Sequence, residues 1–357
     1  MVEVPEYIKN IKPYIPGKPP EELERKYGIT NAVKLASNEN PLGPCPKALE
    51  SLKEHLAHLN RYPEGSGYLL INAISKKHGV ETDQVILGNG SNEVIELLVR
   101  TFLLPGDEVI SASPSFVVYD SITRAAGGTS IVIPLRKWCH DLEAMAHAIN
   151  EKTKIIFIVN PNNPTGTINT KDEMEKLLEK VPKNVIIAVD EAYYEYVTDQ
   201  SYPYSLEYIK LRHSIIIFRT FSKIYGLAGL RIGYGIANDA IIQKMNKIRQ
   251  PFNTNTLAQY AALAAIEDTK HVRMTLELNE EGKKYLYEEF RQIGIDFVNS
   301  EANFIFLPLC NAYVLYEKLL AQGVIVRPIG SDGLRITIGL PEENKRLIEA
   351  LRKIVHS

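Results

Sequence analysis

Ile215-Ile216-Ile217-Phe218-Arg219-Thr220-Phe221-Ser222-Lys223 is an apolar, β-branched run that ends in hydroxyls and a lysine. The run 215–218 reads as a buried strand of a parallel sheet, because a strand covered on both faces is continuously apolar rather than alternating. Lys223 comes just after that strand ends, and Thr220 and Ser222 flank the same turn. Gly226 and Gly229 are expected to let the backbone turn tightly, and Arg231 to open the next strand. Two hydroxyls and an arginine suit a phosphate. A lysine beside them suits an aldehyde, which an amine captures as a Schiff base.

Working outward, strand and helix patterns alternate. Strands are expected at 85–87, 108–112, 129–133, 154–159, 185–190, 214–218 and 231–237, with helices near 93–104, 116–126, 142–149, 171–180 and 239–248. Such alternation implies an α/β architecture with a mainly parallel seven-stranded sheet sandwiched by helices. In these sheets ligands sit beyond the carboxyl ends of the strands. The candidate residues fall there: Asn160 to Gly166 after one strand, Asp190 at the end of another, and Thr220 to Lys223 after a third. A long helical stretch from Thr256 to about Gly294 is followed by short strands at 303–307, 324–327 and 334–337 and helices at 312–322 and 342–355. The expected organisation is an N-terminal arm (1–30), a large domain (61–269), and a smaller α/β domain built from 31–60 and 270–357.

Asp190 ends an apolar strand, where a carboxylate is costly without a partner. Locally it reads either as a helix cap or ion pair, or as the acid that faces a protonated pyridine nitrogen. Pyridoxal phosphate brings together the aldehyde, the phosphate and that nitrogen. Tyr193, three residues on, could donate to the ring oxygen of such a cofactor. In Asn160-Pro161-Asn162-Asn163-Pro164-Thr165-Gly166 the amide of Asn163 could bind the same oxygen, although the segment also reads as a proline-rich turn. Phe116 reads equally as a ring-stacking or a core residue. Gly88-Asn89-Gly90-Ser91-Asn92 is a glycine turn ahead of a helix, a natural anion site and a common α/β feature. The polar loop from Ser37 to Pro44, which includes Asn38, reads as a connector or as a site wall.

Composition narrows the classes. The 357 residues are 45% hydrophobic and 24% charged, with a net charge of -2, so nothing in the bulk charge points to nucleic acid or an anionic membrane. The three cysteines are far apart and odd in number, which fits a reducing cytosol and neither a disulfide framework nor a metal site. Met1 to Glu6 carries acids and a proline rather than the apolar core of a signal peptide, and no apolar run approaches the ~20 residues of a membrane helix. A cytoplasmic location is expected.

NPNNPTG, VDEAYYEY and RTFSKIYGLAGLRIGY together resemble the fold-type I pyridoxal-phosphate aminotransferases over essentially the whole chain. YIPGKPPEELERKYGI, VKLASNENPLGP, RYPEGSGY, GNGSNEVIELLVRTF and LRITIG resemble, within that group, the histidinol-phosphate aminotransferases. The resemblance implies that Lys223 holds the cofactor and then shuttles a proton, and that Asp190 pairs with the ring nitrogen. It implies Tyr193 and Asn163 on the ring oxygen, and Phe116 stacked on the ring. Gly90, Ser91, Asn92, Thr220, Ser222 and Arg231 would hold the phosphate. Tyr62 would reach the cofactor phosphate of a neighbouring subunit, which makes the active unit a homodimer. Arg327 and Arg335 would face the substrate oxyanion, with Asn38 beside them and Tyr14 closing over. Phe116 departs from the family's frequent tyrosine, which keeps stacking and loses a hydroxyl. The implied reaction, part of histidine biosynthesis, moves an amino group between histidinol phosphate and 2-oxoglutarate, giving glutamate. An aromatic amino-acid aminotransferase and a threonine-phosphate decarboxylase share the scaffold. A cofactor-binding regulator would need a DNA-binding domain, for which the chain has neither a basic region nor spare length.

Overall fold

The computed structural model describes residues 2–14, 17–211 and 214–355. Ile15 and Pro16 of the YIPGKP segment, and residues 356–357 of the expected small domain, lie outside them. The strands among the described residues are β1 (Val33–Lys34), β2 (Val85–Gly88), β3 (Glu108–Ser113), β4 (Thr129–Pro134), β5 (Thr153–Val159), β6 (Ile186–Asp190), β7 (Ile215–Thr220), β8 (Gly233–Ala237), β9 (Phe304–Pro308), β10 (Val324–Ile325), β11 (Arg327–Ile329) and β12 (Gly333–Thr337).

Strands β2 to β8 form one seven-stranded sheet in the order β2-β8-β7-β6-β5-β3-β4. The five strands from β7 to β4 in that order are parallel. Helices Val118–Ala125, Leu142–His147, Lys171–Lys180 and Leu206–Leu211 supply their crossovers. β8 runs antiparallel to both of its neighbours. Between β7 and β8 there is only a turn with one 3₁₀ segment, Ala228–Leu230, and without a crossover helix the chain returns in the opposite direction.

The continuous apolar runs follow from burial on both faces. In β7, Ile215 and Ile217 enter one hydrophobic cluster while Ile216 and Phe218 enter another. β6 divides in the same way, with Ile187 and Val189 on one side and Ile186 and Ala188 on the other. Each such side chain contributes about 1.5–3 kcal/mol on burial. A third cluster joins Leu23, Leu35 and Ala36 to Leu286, Phe290, Ile305, Leu334, Ile336 and Leu347. Residues near the start of the chain therefore pack with its C-terminal part, and β1 pairs in parallel with β10.

Three local expectations are corrected. The strand expected at 324–327 is two strands, since β10 bonds to β1 while β11 bonds to β12. Pro328 lies in β11 at the edge of the sheet β11-β12-β9, where a missing N–H is tolerated. Arg231 does not open β8. It has a left-handed backbone (φ 56°) after the 3₁₀ turn, and β8 begins at Gly233. Phe116 precedes its helix, which starts at Val118. No helix among the described residues is long and apolar enough to cross a membrane.

Of the two glycines after Lys223, only Gly226 meets a backbone demand. It has φ +68°, and a Cβ there would lie 2.1 Å from the Gly43 carbonyl oxygen, whereas a Cβ on Gly229 would meet nothing within 4 Å. Gly226→Ala is expected to destabilise the protein by roughly 2–4 kcal/mol, and Gly229→Ala to leave it close to wild type. Urea unfolding of the two variants side by side checks this; equal losses would remove the assignment.

Candidate active site

β5, β6 and β7 lie side by side in register, Val159 opposite Asp190 and Asp190 opposite Phe218. The loop from Asn160, the Asp190 carboxylate and the Lys223 turn therefore leave the sheet at one edge. Above that edge is a cavity lined by Tyr14, Asn38, Ser91, Asn92, Phe116, Asn163, Asp190, Tyr193, Thr220, Ser222, Lys223, Arg231, Arg327 and Arg335. Gly90 sits directly behind Arg231. Tyr62 is elsewhere: it is 82% exposed and stacks on Phe252 with ring centroids 4.8 Å apart.

One end of the cavity is built for an anion. Helix Ser91–Phe102 points its N-terminus there, with first-turn N–H groups that have no partner within the helix and the positive end of the dipole. Gly233 pairs with Gly88 on one side and Thr220 on the other, which brings the glycine turn against the lysine turn. A Cβ on Gly233 would lie 2.4 Å from the Ser91 nitrogen and 3.0 Å from the Arg219 carbonyl oxygen, and one on Gly90 would lie 2.4 Å from an Arg231 guanidinium nitrogen. Gly233 was not singled out in the sequence, because its demand comes from another segment. The left-handed backbone of Arg231 turns its side chain back, so that Nη1 donates to the Ala228 carbonyl (3.0 Å) and to Ser222 Oγ (3.4 Å). Two hydroxyls, one guanidinium and a helix N-terminus form a donor set suited to a phosphate.

At the other end, Lys223 Nζ donates to the Ser37 carbonyl at 3.2 Å. Burial, then the neighbouring Arg335, hold its pKa down to about 7. Asp190 accepts the Ala192 N–H at Oδ1 (3.0 Å) and the Tyr119 hydroxyl at Oδ2 (2.6 Å). Burial pushes its carboxyl up from the usual carboxylate range, and the Tyr119 hydrogen bond pulls it back down. Asp190 is thus neither a helix cap nor part of an ion pair among the described residues. Tyr119 was missed in the sequence. Its signal was the Phe116–Tyr119 spacing, which reads equally as core.

Between these ends, the Tyr193 hydroxyl accepts from Asn38 Nδ2 (2.9 Å) and Asn163 Nδ2 (3.4 Å), which leaves its own proton free to donate. Arg335 Nη1 donates to Asn163 Oδ1 at 2.6 Å and Nη2 to the Ala36 carbonyl. Its Nε is buried and has no partner among the described residues. An unmet charged donor is costly, and a bound oxyanion would meet it. Tyr14 covers Arg327, whose guanidinium carbon lies 5.3 Å from the ring centroid.

Behind the cavity, Arg219 and Glu191 form an ion pair at 2.7 Å with side chains 3% and 1% exposed. Each is next to a lining residue, Thr220 and Asp190 respectively.

An acid, a lysine and a phosphate cup on the strand ends of an α/β sheet define a class. The chain belongs to the class I and II aminotransferases, whose family model matches residues 30–351. Within that class it is similar along its length to histidinol-phosphate aminotransferases. It is 47% identical to that of Moorella thermoacetica, covering 98% of this chain and 92% of the relative. It is 45% identical to histidinol-phosphate aminotransferase 2 of Pseudomonas fluorescens, covering 98% and 96%. Among solved structures, the histidinol-phosphate aminotransferase of Clostridium acetobutylicum superposes with a TM-score of 0.83 at 27% identity, covering 91% of this chain and 99% of that one. The enzyme of Sinorhizobium meliloti in complex with pyridoxal-5'-phosphate gives 0.92 at 23% identity over 100% and 98%, a likeness of fold.

The depressed pKa of Lys223 has a sign. Its amine is protonated and unreactive below about 7 and neutral above it. The rate at which cofactor-free protein captures added pyridoxal phosphate is therefore expected to rise through pH 7 and level off above it, read by stopped-flow absorbance. A rise centred near the ordinary lysine value of about 10.4 would contradict the site geometry.

Proposed function

We propose that the protein is a pyridoxal-phosphate-dependent histidinol-phosphate aminotransferase. It exchanges an amino group between L-histidinol phosphate and 2-oxoglutarate, giving imidazole acetol phosphate and L-glutamate in histidine biosynthesis. The observation that carries this is a single cavity holding a low-pKa lysine, a buried acid, a phosphate cup and the unmet Nε of Arg335. It occurs in a chain similar throughout to enzymes of that name.

The donor set fits the cofactor at each of its polar atoms. Thr220, Ser222, Arg231, Gly90, Ser91 and Asn92 receive the phosphate, Tyr193 and Asn163 the ring oxygen, Asp190 the ring nitrogen, and Lys223 the aldehyde. Phe116, which lines the same cavity, would stack on the ring. When bound, pyridoxal phosphate supplies an electron sink for the charge left as a Cα–H bond breaks. Lys223, whose pKa is about 7, would take that proton on Nζ and hold it for return. Asp190, as an anion, keeps the ring nitrogen protonated. Arg335 and Arg327 bind the substrate's oxyanion, and a guanidinium pairs equally well with a phosphate monoester and a carboxylate, so one pair serves both substrates. Asn38 orients Tyr193, and Tyr14 closes over Arg327.

The active unit is a homodimer in this reading. Leu56, Leu59, Tyr62, Tyr68 and Leu69 are large, apolar and more than half exposed, a cluster in need of cover. Tyr62 within it would complete the partner's phosphate site. We also assign the arm to 1–30, the large domain to 61–269 and the small domain to 31–60 with 270–357; Leu35 and Ala36 share a core with the C-terminal segment, while Cys45 and Ala48 pack in a core with Leu70, Ala258 and Ala262. The three free cysteines suit the cytoplasm.

The test is a half-reaction. Cofactor-loaded protein mixed with histidinol phosphate alone is expected to convert to the amino form of the cofactor by absorbance, and 2-oxoglutarate to reverse it. Conversion by phenylalanine and not by histidinol phosphate would replace the proposal with the aromatic enzyme. Carbon dioxide release from threonine phosphate would replace it with the decarboxylase. Lys223→Ala is expected to lower turnover by at least about a thousandfold with the fold intact by circular dichroism. Arg335→Ala should raise KM for both substrates about ten- to a hundredfold; an effect on one substrate only would show that the arginines divide the work.

A further inference from the structure

Asp190 is held without a cation. Among the described residues no lysine or arginine nitrogen lies within 4.0 Å of it, and its contacts are one backbone N–H and one phenol. That phenol is tightly placed. Tyr119 is 1% exposed, its ring stacks on Phe157 at 4.4 Å and 22°, and Phe116 meets it edge-on at 5.8 Å and 81°. The hydroxyl cannot swing to another acceptor, and its 2.6 Å distance to Oδ2 is that of a charge-assisted hydrogen bond.

The chemistry at Asp190 turns on where one proton sits. With the cofactor bound, as the functional reading above requires, the ring nitrogen and the carboxylate share a proton. If it moves to the carboxylate, the ring becomes neutral and ceases to be a good electron sink. Each donor to the carboxylate weakens it as a base and leaves the proton on the ring. We propose that Tyr119 is a positioning residue whose hydroxyl keeps Asp190 an anion, so that the shared proton stays on the ring nitrogen of bound pyridoxal phosphate.

The surrounding groups make this donor necessary. Burial pushes the Asp190 carboxyl up, and Glu191 beside it pushes the same way. Tyr119, the Ala192 N–H and Lys223 pull it down. Burial and the Asp190 charge raise the phenol of Tyr119 well above its ordinary value, so it stays a donor. Tyr193 also faces this charge, and burial raises its phenol too.

The experiment uses holoenzyme loaded with cofactor labelled with nitrogen-15 at the ring nitrogen. The resonance is followed against pH in wild type, Tyr119→Phe and Asp190→Asn. Tyr119→Phe keeps the stacked ring and removes only the hydroxyl. Over the pH range in which the pair holds its proton, its ring-nitrogen resonance is expected to move toward the neutral signal of Asp190→Asn, because the proton passes to the stronger carboxylate base, with kcat lowered about tenfold. A resonance equal to wild type over that range overturns the inference even if stability falls, because a packing role would not move a proton. Should Tyr119→Phe fail to load cofactor, 3-fluorotyrosine at position 119 decides. It preserves the shape and is a stronger donor, so the resonance must move further toward the protonated signal, and an unchanged one overturns the inference. A wild-type ring nitrogen that is never protonated, or a wild type that takes up no cofactor, overturns the functional reading along with this one.

Discussion

The ion pair between Arg219 and Glu191 holds together the two strand ends on which the site depends. Neighbouring side chains along a strand alternate between faces, so Asp190 and Thr220 turn into the cavity while Glu191 and Arg219 turn away behind it. There they meet at 2.7 and 3.0 Å, nearly sealed from water. Two such ions lose much hydration, and their attraction offsets it only with good geometry and further hydrogen bonds. The arginine is well held: its guanidinium also lies 3.6 Å over the Tyr194 ring, and its Nη1 approaches His78 Nδ1 at 3.1 Å, whereas both of its bonds to Glu191 reach Oε2 and the buried Oε1 has no partner among the described residues. Burial and the same arginine push the His78 pKa down to about 3, so the ring is neutral and accepts from Arg219 at Nδ1. Its Nε2–H then faces the Tyr234 hydroxyl at 2.9 Å. A polar network locked in this way fixes the separation of β6 and β7 at the end where an acid and a lysine must face one ligand.

Close backbone approach is the second device. Gly233 is flanked by Gly88 and Thr220 in the sheet, and the Ser91 nitrogen sits where its Cβ would be. Gly90 leaves room for the Arg231 guanidinium. The phosphate cup is therefore made of two segments far apart in the chain, 88–92 and 220–233, pressed together where side chains are absent. The antiparallel direction of β8 makes this possible, because it returns the chain from the lysine turn alongside β2, the strand that delivers the glycine turn.

Much of the fold was legible, because burial leaves a pattern in the order of residues. Strands buried on both faces leave continuous apolar runs, so the seven strands could be counted. Ligand chemistry in such sheets collects at strand ends, so Asp190, the Asn163 loop and Lys223 stood out together. The direction of β8 was less legible, since it depends on a missing crossover helix. The split of 324–327 into two strands depends on which neighbours each half finds, and apolar character does not record a change of partner. Arg231 reads as the first residue of a strand by its neighbours Ile232 and Tyr234, while its left-handed backbone reflects the need to reach back to Ser222 and Ala228.

The sequence by itself determined the layered α/β architecture and the residue types of the chemistry, because burial period and strand-end position are local properties written in order along the chain. Only the tertiary structure decided which of those residues share a cavity and what holds each one. Tyr119 and Asp190 are 71 residues apart, and Asn163 and Arg335 are 172 apart. Their hydrogen bonds exist only once the sheet register and the packing of the C-terminal core have placed them. The pKa of Lys223 is likewise a property of that assembly, set by burial and by an arginine from a different sheet. Desolvation and charge act through space, and that distance is known only after the chain has folded.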